Sequence, residues 1–224
     1  MAEPFDDSTN PTLSDLSPHT GEGIVIDVGT GDGLFVYQCA RSNPNKFYIG
    51  IDANPRPLEK LSERIHRKPT KGGLPNVLFL QASIEDLPSE LAGIADEVHV
   101  HFPWGSLLRV VANGDGTGLN HLRRICARDA LLEVVIGLDP ERDRSEIERL
   151  GLTALTVEHI DRELALQYRA AGFEILERGV LGQSEWPKLQ TSWAKRLQGN
   201  EGREVTYIIA RAISLNREIR LLSS

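Results

Sequence analysis

The most chemically informative stretch of the chain is a glycine-rich turn that follows a short apolar segment. Residues 24–28 are Ile-Val-Ile-Asp-Val, and residues 29–33 are Gly-Thr-Gly-Asp-Gly. Glycines at such a point let the backbone approach a ligand closely, and a helix that begins beyond them offers free N–H donors. The spacing differs from the G-x-G-x-x-G of dinucleotide sites. Because Asp27 comes just before the turn, the pattern favours a ligand that carries positive charge over a pyrophosphate.

Two further groups of polar residues follow the next two apolar segments. Asp52 ends residues 47–52, where a carboxylate can accept both hydroxyls of a ribose, and the Ser-Ile-Glu of residues 83–85 follows residues 77–81, where an adenine can be held. A tight turn or a solvated acid explains each feature alone, but not the three in this order. The set resembles the class I S-adenosylmethionine-dependent methyltransferases. The resemblance implies that S-adenosylmethionine (SAM) is held by Asp27, Gly29, Thr30, Gly31, Asp32, Asp52, Ala53, Ser83, Ile84 and Glu85.

The turn after the fourth apolar segment, residues 98–102, decides which chemistry is favoured. In this fold that turn faces the methyl group, and enzymes that methylate exocyclic amines often carry Asp or Asn there to accept the amine proton. Here the turn is Phe102-Pro103-Trp104-Gly105 and has no carboxylate. This favours a nucleophile with a free lone pair, such as N1 of adenine, which needs alignment more than a base. The Trp104 indole can stack on a flipped base, although a core aromatic is the plainer interpretation.

Two other segments combine the side chains that hold nucleic acid. In residues 190–197, Trp193 precedes Lys195 and Arg196, which pairs an aromatic face with cations that bind phosphate. An amphipathic helix with Trp193 turned inward is the alternative. Residues 64–71 hold four basic side chains, which suit phosphate groups or, more plainly, complement the dipole of a helix end.

The elements that must position these residues alternate between strand and helix. Apolar runs predict strands at 24–28, 47–52, 77–81, 98–102, 131–137, 173–180 and 205–213, and helical spacing predicts helices at 34–41, 56–67, 119–127 and 162–171. This pattern predicts an α/β fold with a mostly parallel sheet and helices on both faces. The methyltransferase resemblance implies a Rossmann-like sheet of seven strands.

The domain organisation follows from composition. Residues 1–20 carry four acids and no Lys or Arg, which predicts a flexible acidic tail. Residues 21–213 are predicted to form the methyltransferase domain, with insertions that recognise RNA near 56–76, 138–161 and 181–203, and 214–224 to form a C-terminal tail. The charged part of the second insertion, residues 139–146, could dock RNA through Arg142 and Arg144, but a solvated loop is the more common case.

Composition and charge exclude several classes of protein. The chain has 224 residues, 40% hydrophobic and 25% charged, which suits one soluble domain. The net charge of −7 excludes a polyanion binder coated in positive charge, but not a local basic face. No apolar run approaches the roughly 18 residues of a membrane helix, and the acidic N-terminus lacks the apolar region of a secretory signal. We therefore expect a cytoplasmic protein.

The cysteines and histidines give no sign of a metal centre. Two cysteines, Cys39 and Cys126, make a disulfide framework or a zinc site improbable. His99 and His101 share one face of a predicted strand, but the sequence places no third ligand beside them, so we expect strand packing and no metal.

Four motifs together resemble one smaller family. They are DVGTGDG at 27–33, KPTKGGLPNV at 68–77, HFPWGSLL at 101–108 and SWAKRL at 192–197. The chain is similar, over roughly residues 23–213, to the aminoglycoside-resistance methyltransferases that modify N1 of adenine 1408 in the decoding site of 16S ribosomal RNA.

That resemblance implies the substrate and the roles of individual residues. The substrate would be the assembled 30S subunit, and the enzyme would act as a monomer. Trp104 and Trp193 would enclose the flipped adenine, with Phe102 and Pro103 beside them as the remaining catalytic candidates. The methyl would add bulk and charge to the base edge that aminoglycosides contact. The RNA contacts would be Arg64, Arg67, Lys68, Lys71, Thr191, Ser192, Arg196 and Arg203.

The chain departs from the family pattern in two places. Relatives begin with a short, often basic hairpin, whereas residues 1–20 here are acidic, and the segment after residue 197 is poor in cations. Because each lost phosphate contact lowers affinity at physiological salt, we expect weaker or more salt-sensitive docking than in basic relatives.

Three other functions remain open from the sequence. A tRNA guanine-N7 methyltransferase also carries Phe-Pro after its fourth strand, but with Asp-Pro before the Trp, and that Asp is absent here. A ribosome-binding relative that has lost catalysis would keep both tryptophans. A small-molecule methyltransferase is disfavoured by the basic residues 64–71.

Overall fold

The computed structural model describes residues 22–181 and 204–214, and this part of the chain forms one seven-stranded sheet. The strands are β1 (Ile24–Val28), β2 (Phe47–Asp52), β3 (Val77–Gln81), β4 (Ala95–His101), β5 (Cys126–Leu138), β6 (Phe173–Leu181) and β7 (Glu204–Ala212). Their order is β3-β2-β1-β4-β5-β7-β6, and β7 alone runs antiparallel to its neighbours. The predicted α/β architecture, with a mostly parallel sheet of seven strands, is confirmed.

The described ranges contain seven α-helices. They are α1 (Leu34–Ser42), α2 (Glu59–Ile65), α3 (Gly105–Asn113), α4 (Gly116–Ile125), α5 (Arg144–Leu150), α6 (Val157–His159) and α7 (Ala165–Ala170). A π-helical turn, Ile160–Leu164, joins α6 to α7. The helices predicted at 34–41, 56–67, 119–127 and 162–171 are present with shifted limits, whereas α3 and α5 were not predicted.

The limits of β4 and β5 differ from the predicted ones. The fourth strand, expected at 98–102, ends at His101 because Phe102 adopts a φ of 50°, which no extended strand accommodates. The fifth strand was expected at 131–137 and is nearly twice as long. It begins at Cys126, directly after α4, and Asp129 interrupts it with a φ of 60°.

The alternation of side chains along β1 divides the core into two layers. Ile24, Ile26 and Val28 belong to the larger cluster, which also contains the apolar faces of α3, α4 and α7. Val25 belongs to the smaller cluster, with residues of α1 and α2. Because side chains alternate along a strand, Asp27 points to the same face as Val25. Asp27 therefore lies on the face of the sheet that packs against α1, near the carboxyl end of a strand that is otherwise apolar.

The two cysteines and the lengths of the helices can be compared with the expectations from the sequence. Cys39 and Cys126 are free thiols, and burial raises the pKa of Cys126 to about 12. No helix in the described ranges is long and apolar enough to cross a bilayer. The tail predicted at 1–20 and nearly all of the insertion predicted at 181–203 and the tail at 214–224 lie outside the described residues.

Candidate active site

The glycine-rich turn after β1 is shaped to leave open space beside its backbone. Gly29 and Gly31 have φ values of 79° and 61°, in the left-handed region that favours glycine. The N–H of Gly29 donates to the carbonyl of Ile51 at 2.8 Å, which ties the turn to β2. A Cβ on Gly29 would lie 2.7 Å from Leu107 Cδ2, whereas one on Gly31 would meet nothing within 4 Å. Gly29 is therefore favoured by its left-handed backbone, with Leu107 close beside it, and Gly31 borders free volume.

Asp52 is held against this turn. Its Oδ2 accepts a hydrogen bond from the N–H of Gly31 at 2.8 Å, and its Oδ1 accepts one from the N–H of Asn54 at 2.9 Å. A carboxylate has about four lone-pair positions, so both oxygens retain capacity for the hydroxyls of a ribose. The contact joins the first two motifs of the predicted cofactor site.

The loop of residues 83–85 is attached to the same edge of the sheet. The N–H of Ala82 donates to the carbonyl of Asp52 at 3.1 Å, which sets the start of the loop. The carbonyl of Ile84 lies 2.7 Å from Nδ1 of His121 on α4, and the Ile84 side chain is buried. His121 was missed by sequence reasoning, because a lone histidine in a helix 37 residues away carries no local signal.

Glu85 connects this loop to the turn that follows β4. A hydrogen bond from the Ser106 hydroxyl is the main cause that lowers the pKa of the Glu85 carboxyl below its usual range. Ser106 lies two residues after Trp104, at the start of α3. The carboxyl ends of β1, β2, β3 and β4 therefore converge on one site, which is where ligands bind in open α/β sheets.

Asp27 is the most deeply buried acid of the site. Its side chain is 3% exposed, and no hydrogen-bond partner for its Oδ1 is found among the described residues. Burial raises the pKa of Asp27, while the nearby imidazoles of His101 and His99 oppose that shift. A buried carboxylate oxygen without a partner costs free energy until a donor or a positive charge reaches it. The prediction of a cationic ligand therefore fits the geometry.

Trp104 lies at the surface of the molecule, directly after this site. Its side chain is 55% exposed, so it is not the core aromatic of the plainer interpretation. The turn is tightly held nonetheless: the N–H of Phe102 donates to the carbonyl of Val135 at 2.7 Å, and Phe102 is strained at a φ of 50°. Pro103 is buried beside it. The turn presents a large aromatic face on a fixed backbone.

A carboxylate from α5 supports the same turn and was not found by sequence reasoning. Oε1 of Glu146 accepts a hydrogen bond from the N–H of Gly105 at 3.2 Å, and Arg149 donates to both Glu146 oxygens, at 2.6 and 2.7 Å. The Glu146 side chain is 9% exposed. The interpretation of residues 139–146 as a solvated loop is wrong in this respect, because Asp139 and Asp143 are buried as well.

The four predicted basic residues lie at the amino ends of the parallel strands, opposite the carboxyl ends that form the candidate site. Arg64, Arg67, Lys68 and Lys71 are all exposed. They surround the end of α2 and the 3₁₀ turn Pro69–Lys71, just before β3 begins. Asn76 ties this segment to the start of β2, since its Nδ2 donates to the carbonyl of Lys46 at 3.0 Å. We call these four residues the basic edge.

Part of the predicted site falls outside the described residues. Trp193, Thr191, Ser192, Arg196 and Arg203 belong to this group. Their predicted roles in stacking and in RNA binding stay predictions.

The histidine pair has a neighbour that the sequence did not reveal. Glu133 on β5 lies beside His99 and His101, and one ligand atom from each of the three residues falls within 4.8 Å of the others. The expectation that no third ligand is at hand is therefore wrong.

Comparison with known proteins points to one family. A family model described as 16S rRNA (adenine(1408)-N(1))-methyltransferase matches residues 8–212. A 16S rRNA (adenine(1408)-N(1))-methyltransferase of Streptoalloteichus hindustanus is 38% identical over 181 residues, which are 80% of this chain and 82% of the relative.

Solved structures agree with this assignment. The aminoglycoside resistance methyltransferase NpmB1 is 46% identical, with a TM-score of 0.77 over 90% of this chain and 94% of that one. A mutant 16S rRNA (adenine(1408)-N(1))-methyltransferase from Catenulisporales acidiphilia, solved with cosubstrate SAM, is 31% identical, with a TM-score of 0.83 over 93% and 94%. By contrast, a tRNA (guanine-N(7)-)-methyltransferase of a Geobacillus species matches over 84 residues, 36% of each chain.

Proposed function

Because this chain belongs to the 16S rRNA (adenine(1408)-N(1))-methyltransferase family, we propose that it transfers a methyl group from SAM to N1 of adenine 1408 in 16S rRNA. The family is one of SAM-dependent rRNA methyltransferases, and the chain belongs to that enzyme class. The observation that carries the proposal is the match of the family model to residues 8–212, which include both the cofactor motifs and the Trp104 turn. We infer that the modification confers aminoglycoside resistance, because the similar protein NpmB1 is an aminoglycoside resistance methyltransferase.

The residues at the carboxyl edge of the sheet fit SAM. The unpartnered Oδ1 of Asp27 would receive the positively charged amino group, and the Asp52 carboxylate, oriented by Gly31, would accept the ribose hydroxyls. Ile84, buried and fixed by His121, would pack against the adenine ring. When bound, SAM supplies an electrophilic methyl group on a sulfonium.

The protein's contribution at the target base is alignment. Trp104 presents an exposed ring on a backbone fixed by Val135 and Glu146, and such a ring can hold an adenine that has left its stack. N1 of adenine attacks with its own lone pair and carries the positive charge after the transfer, so no proton has to be removed. This explains why the turn after β4 needs no carboxylate, and why positioning supplies most of the acceleration.

The distance between the amino and carboxyl ends of the parallel strands supports the proposal that the substrate is large. The basic edge and the candidate active site lie at opposite ends of the parallel strands. A five-residue strand rises about 3.3 Å per residue, so the two ends are roughly 16 Å apart along the strands. A small molecule cannot contact both ends, whereas a folded ribosomal RNA can. We therefore propose the 30S subunit as substrate and the cytoplasm as the site of action. Action as a monomer stays a prediction.

The test is methyl transfer from radiolabelled SAM to three acceptors: 30S subunits, naked 16S rRNA and bulk tRNA. A reverse-transcription stop locates the product, because a methyl on N1 blocks base pairing. We expect label in 30S subunits with a stop at adenine 1408. Label confined to tRNA would instead favour the guanine-N7 activity, and the absence of a reverse-transcription stop there would separate it from an adenine-N1 product.

A non-catalytic relative is separated by a second measurement on the same protein. We expect 30S binding and SAM binding together with turnover. Binding of both partners without transfer of label to any of the three acceptors would overturn the proposed activity.

A further inference from the structure

Three side chains on the face of the sheet that packs against α1 are arranged as a set of metal ligands. His99 and His101 are two residues apart on β4, so both imidazoles point to one face. Glu133 on β5 is paired directly with His99 in the strand register. One ligand atom from each residue lies within 4.8 Å of the other two. Ligand atoms around a tetrahedral zinc ion lie about 3.4 Å apart, so small side-chain rotations would bring all three onto a single ion.

The imidazole of His101 is buried, that of His99 is largely buried, and each ring has one nitrogen without a partner. The side chains of His99 and His101 are 16% and 6% exposed, and the Nδ1 atom of each is buried with no partner among the described residues. The Nε2 atom of His101 lies 2.6 Å from Glu133, and that of His99 lies 3.6 Å from Glu97. A buried ring nitrogen without a partner is unusual, and these two rings, whose centroids lie 5.1 Å apart, both keep a nitrogen that a bound ion could use.

The surroundings fix the rings and favour positive charge. The ring of Phe35 on α1 lies 5.4 Å from the His99 ring and 4.8 Å from the His101 ring, between centroids, and closes the cluster on that side. The carboxyl groups of Glu97 and Glu133 each lie beside one of the imidazoles, and Asp27 adds a third acid nearby. Lys46 pairs with Glu97 at 2.6 Å. The acids of the cluster outnumber the lysine, which suits a divalent cation.

We propose that His99, His101 and Glu133 form a binding site for a divalent transition-metal ion, with Zn²⁺ as the best match. Two imidazoles and one carboxylate are the ligand types that zinc takes, and three protein ligands leave a fourth position for water. Magnesium and calcium prefer all-oxygen sites, so the two nitrogens disfavour them. The carboxylate of Glu97 beside His99 serves as the outer partner that orients a metal-bound imidazole. The bound ion would stabilise the end of β4, immediately before the Trp104 turn.

The test is zinc binding by the full chain, prepared without affinity-tag histidines and stripped with a chelator. Protein is incubated with Zn²⁺, desalted and assayed for metal content, and Co²⁺ is used as a spectroscopic probe of imidazole coordination. We expect one equivalent of zinc per chain, visible Co²⁺ absorption bands, and a higher melting temperature with Zn²⁺ than with Mg²⁺.

The matched variants are Glu133→Gln and His159→Asn. Glu133→Gln keeps the shape and a hydrogen-bond acceptor for His101 at a partly exposed position, so the fold should persist, as circular dichroism would verify. Loss of outer-sphere partners already costs about 10- to 100-fold in metal affinity, so loss of a ligand should cost at least about 100-fold. His159, on α6, also lies beside a carboxylate, that of Glu163 in the π-helical turn, at 3.6 Å. His159→Asn therefore removes a histidine of similar setting and should leave zinc binding unchanged.

Either of two results would overturn the proposal. The first is wild-type protein that retains well under one equivalent of zinc and shows no Zn²⁺-specific rise in melting temperature. The second is equal zinc affinity in wild type and Glu133→Gln. If Glu133→Gln does not fold, the wild-type melting comparison between Zn²⁺ and Mg²⁺ decides the question. None of these measurements involves RNA or methyl transfer, so the site can fail while the proposed function stands.

Discussion

Trp104 is a large apolar side chain that is exposed at the surface, and exposure of this kind indicates a binding site for another molecule. We expect Trp104→Ala to lower kcat/KM for 30S subunits about 5- to 150-fold, since stacking on a base contributes about 1–3 kcal/mol. Trp104→Phe should retain most of the activity. SAM affinity, measured by calorimetry, should not change.

Leu166→Ala is the matched control for this prediction. Leu166 is also a large exposed apolar residue, on α7, away from the carboxyl ends of the strands. It should leave kcat/KM unchanged. Wild-type turnover by Trp104→Ala would show that the adenine does not stack on this ring.

Protonation of the Glu146 carboxyl should change the free energy of unfolding, because its pKa differs between the folded and unfolded states. The hydrogen bonds from Arg149 are the main cause that lowers the pKa of Glu146 below its ordinary 4.5. A carboxyl with a lower pKa in the folded state contributes stability above pH 4.5, and that stability is lost as the pH falls below it. We therefore expect Glu146→Gln to flatten the fall in unfolding free energy below pH 4.5, as measured by urea denaturation across pH. Glu148→Gln, an exposed neighbour on α5, is the control, and identical profiles for all three proteins would contradict the assignment.

At the scale of elements, α5 acts as a brace for the start of α3. The Glu146 carboxylate accepts from Gly105, whose φ of 62° turns the chain from Trp104 into the helix. We expect Glu146→Ala to lower the free energy of unfolding by about 1–3 kcal/mol, because it leaves the Gly105 N–H without its partner. It should also lower kcat more than it weakens 30S binding, because the ring of Trp104 loses its fixed backbone.

Glu146→Gln separates a role of Glu146 in positioning the Trp104 turn from a general loss of stability. Glu146→Gln keeps an acceptor for Gly105 and should restore most of kcat at neutral pH, whereas Glu148→Ala on the same helix should behave as wild type. Equal kcat in Glu146→Ala and wild type, measured with saturating 30S subunits, would remove α5 from any role in the site.

The sequence predicted the elements where local pattern is decisive. The limits of β1, β2 and β3 agree with the predicted ones, because buried parallel strands are continuous apolar runs between turns. α3 was missed because Pro103 and Gly105 mask its start, and α5 because its charged sequence resembles a loop.

The contacts that complete the site could not be predicted in the same way. Glu146 and Gly105 are 41 residues apart, and His121 and Ile84 are 37 apart. Glu133 faces His99 only because β4 and β5 pair in one particular register. A single sequence shows the polar residues but not which of them meet, since that depends on the packing of distant elements.

At the scale of the whole molecule, strand order explains where the site forms. β1 pairs with β2 on one side and β4 on the other, so the chain changes direction across the sheet at β1. Helices α1 and α3 leave the carboxyl ends of β1 and β4 toward opposite faces, which opens a crevice at this point. The glycine turn, Asp52 and the Trp104 turn all border that crevice, whereas the basic edge lies at the far end of the same strands.

This separation allows docking and chemistry to be altered independently. We expect Lys68→Ala/Lys71→Ala to weaken binding to 30S subunits and to reduce the slope of log K against log salt by about 1.4–1.8, at about 0.7–0.9 per phosphate contact. SAM affinity and kcat at saturating 30S concentration should stay at wild-type values, because neither lysine approaches the carboxyl edge. The measurement is filter binding of the protein to 30S subunits over a series of salt concentrations.

Arg128→Ala is the control for charge alone, since Arg128 is an exposed cation that pairs with Asp129 at 3.4 Å within β5. It should leave the salt slope unchanged. An unchanged slope in the double lysine variant would show that the basic edge does not contact phosphates. Fewer phosphate contacts lower the affinity and also make the slope shallower, so of the two expectations from the sequence, weaker docking is the one that the slope rule supports, and greater salt sensitivity is not. A slope and an affinity equal to those of a relative with a basic N-terminus would contradict the expected weakness in docking.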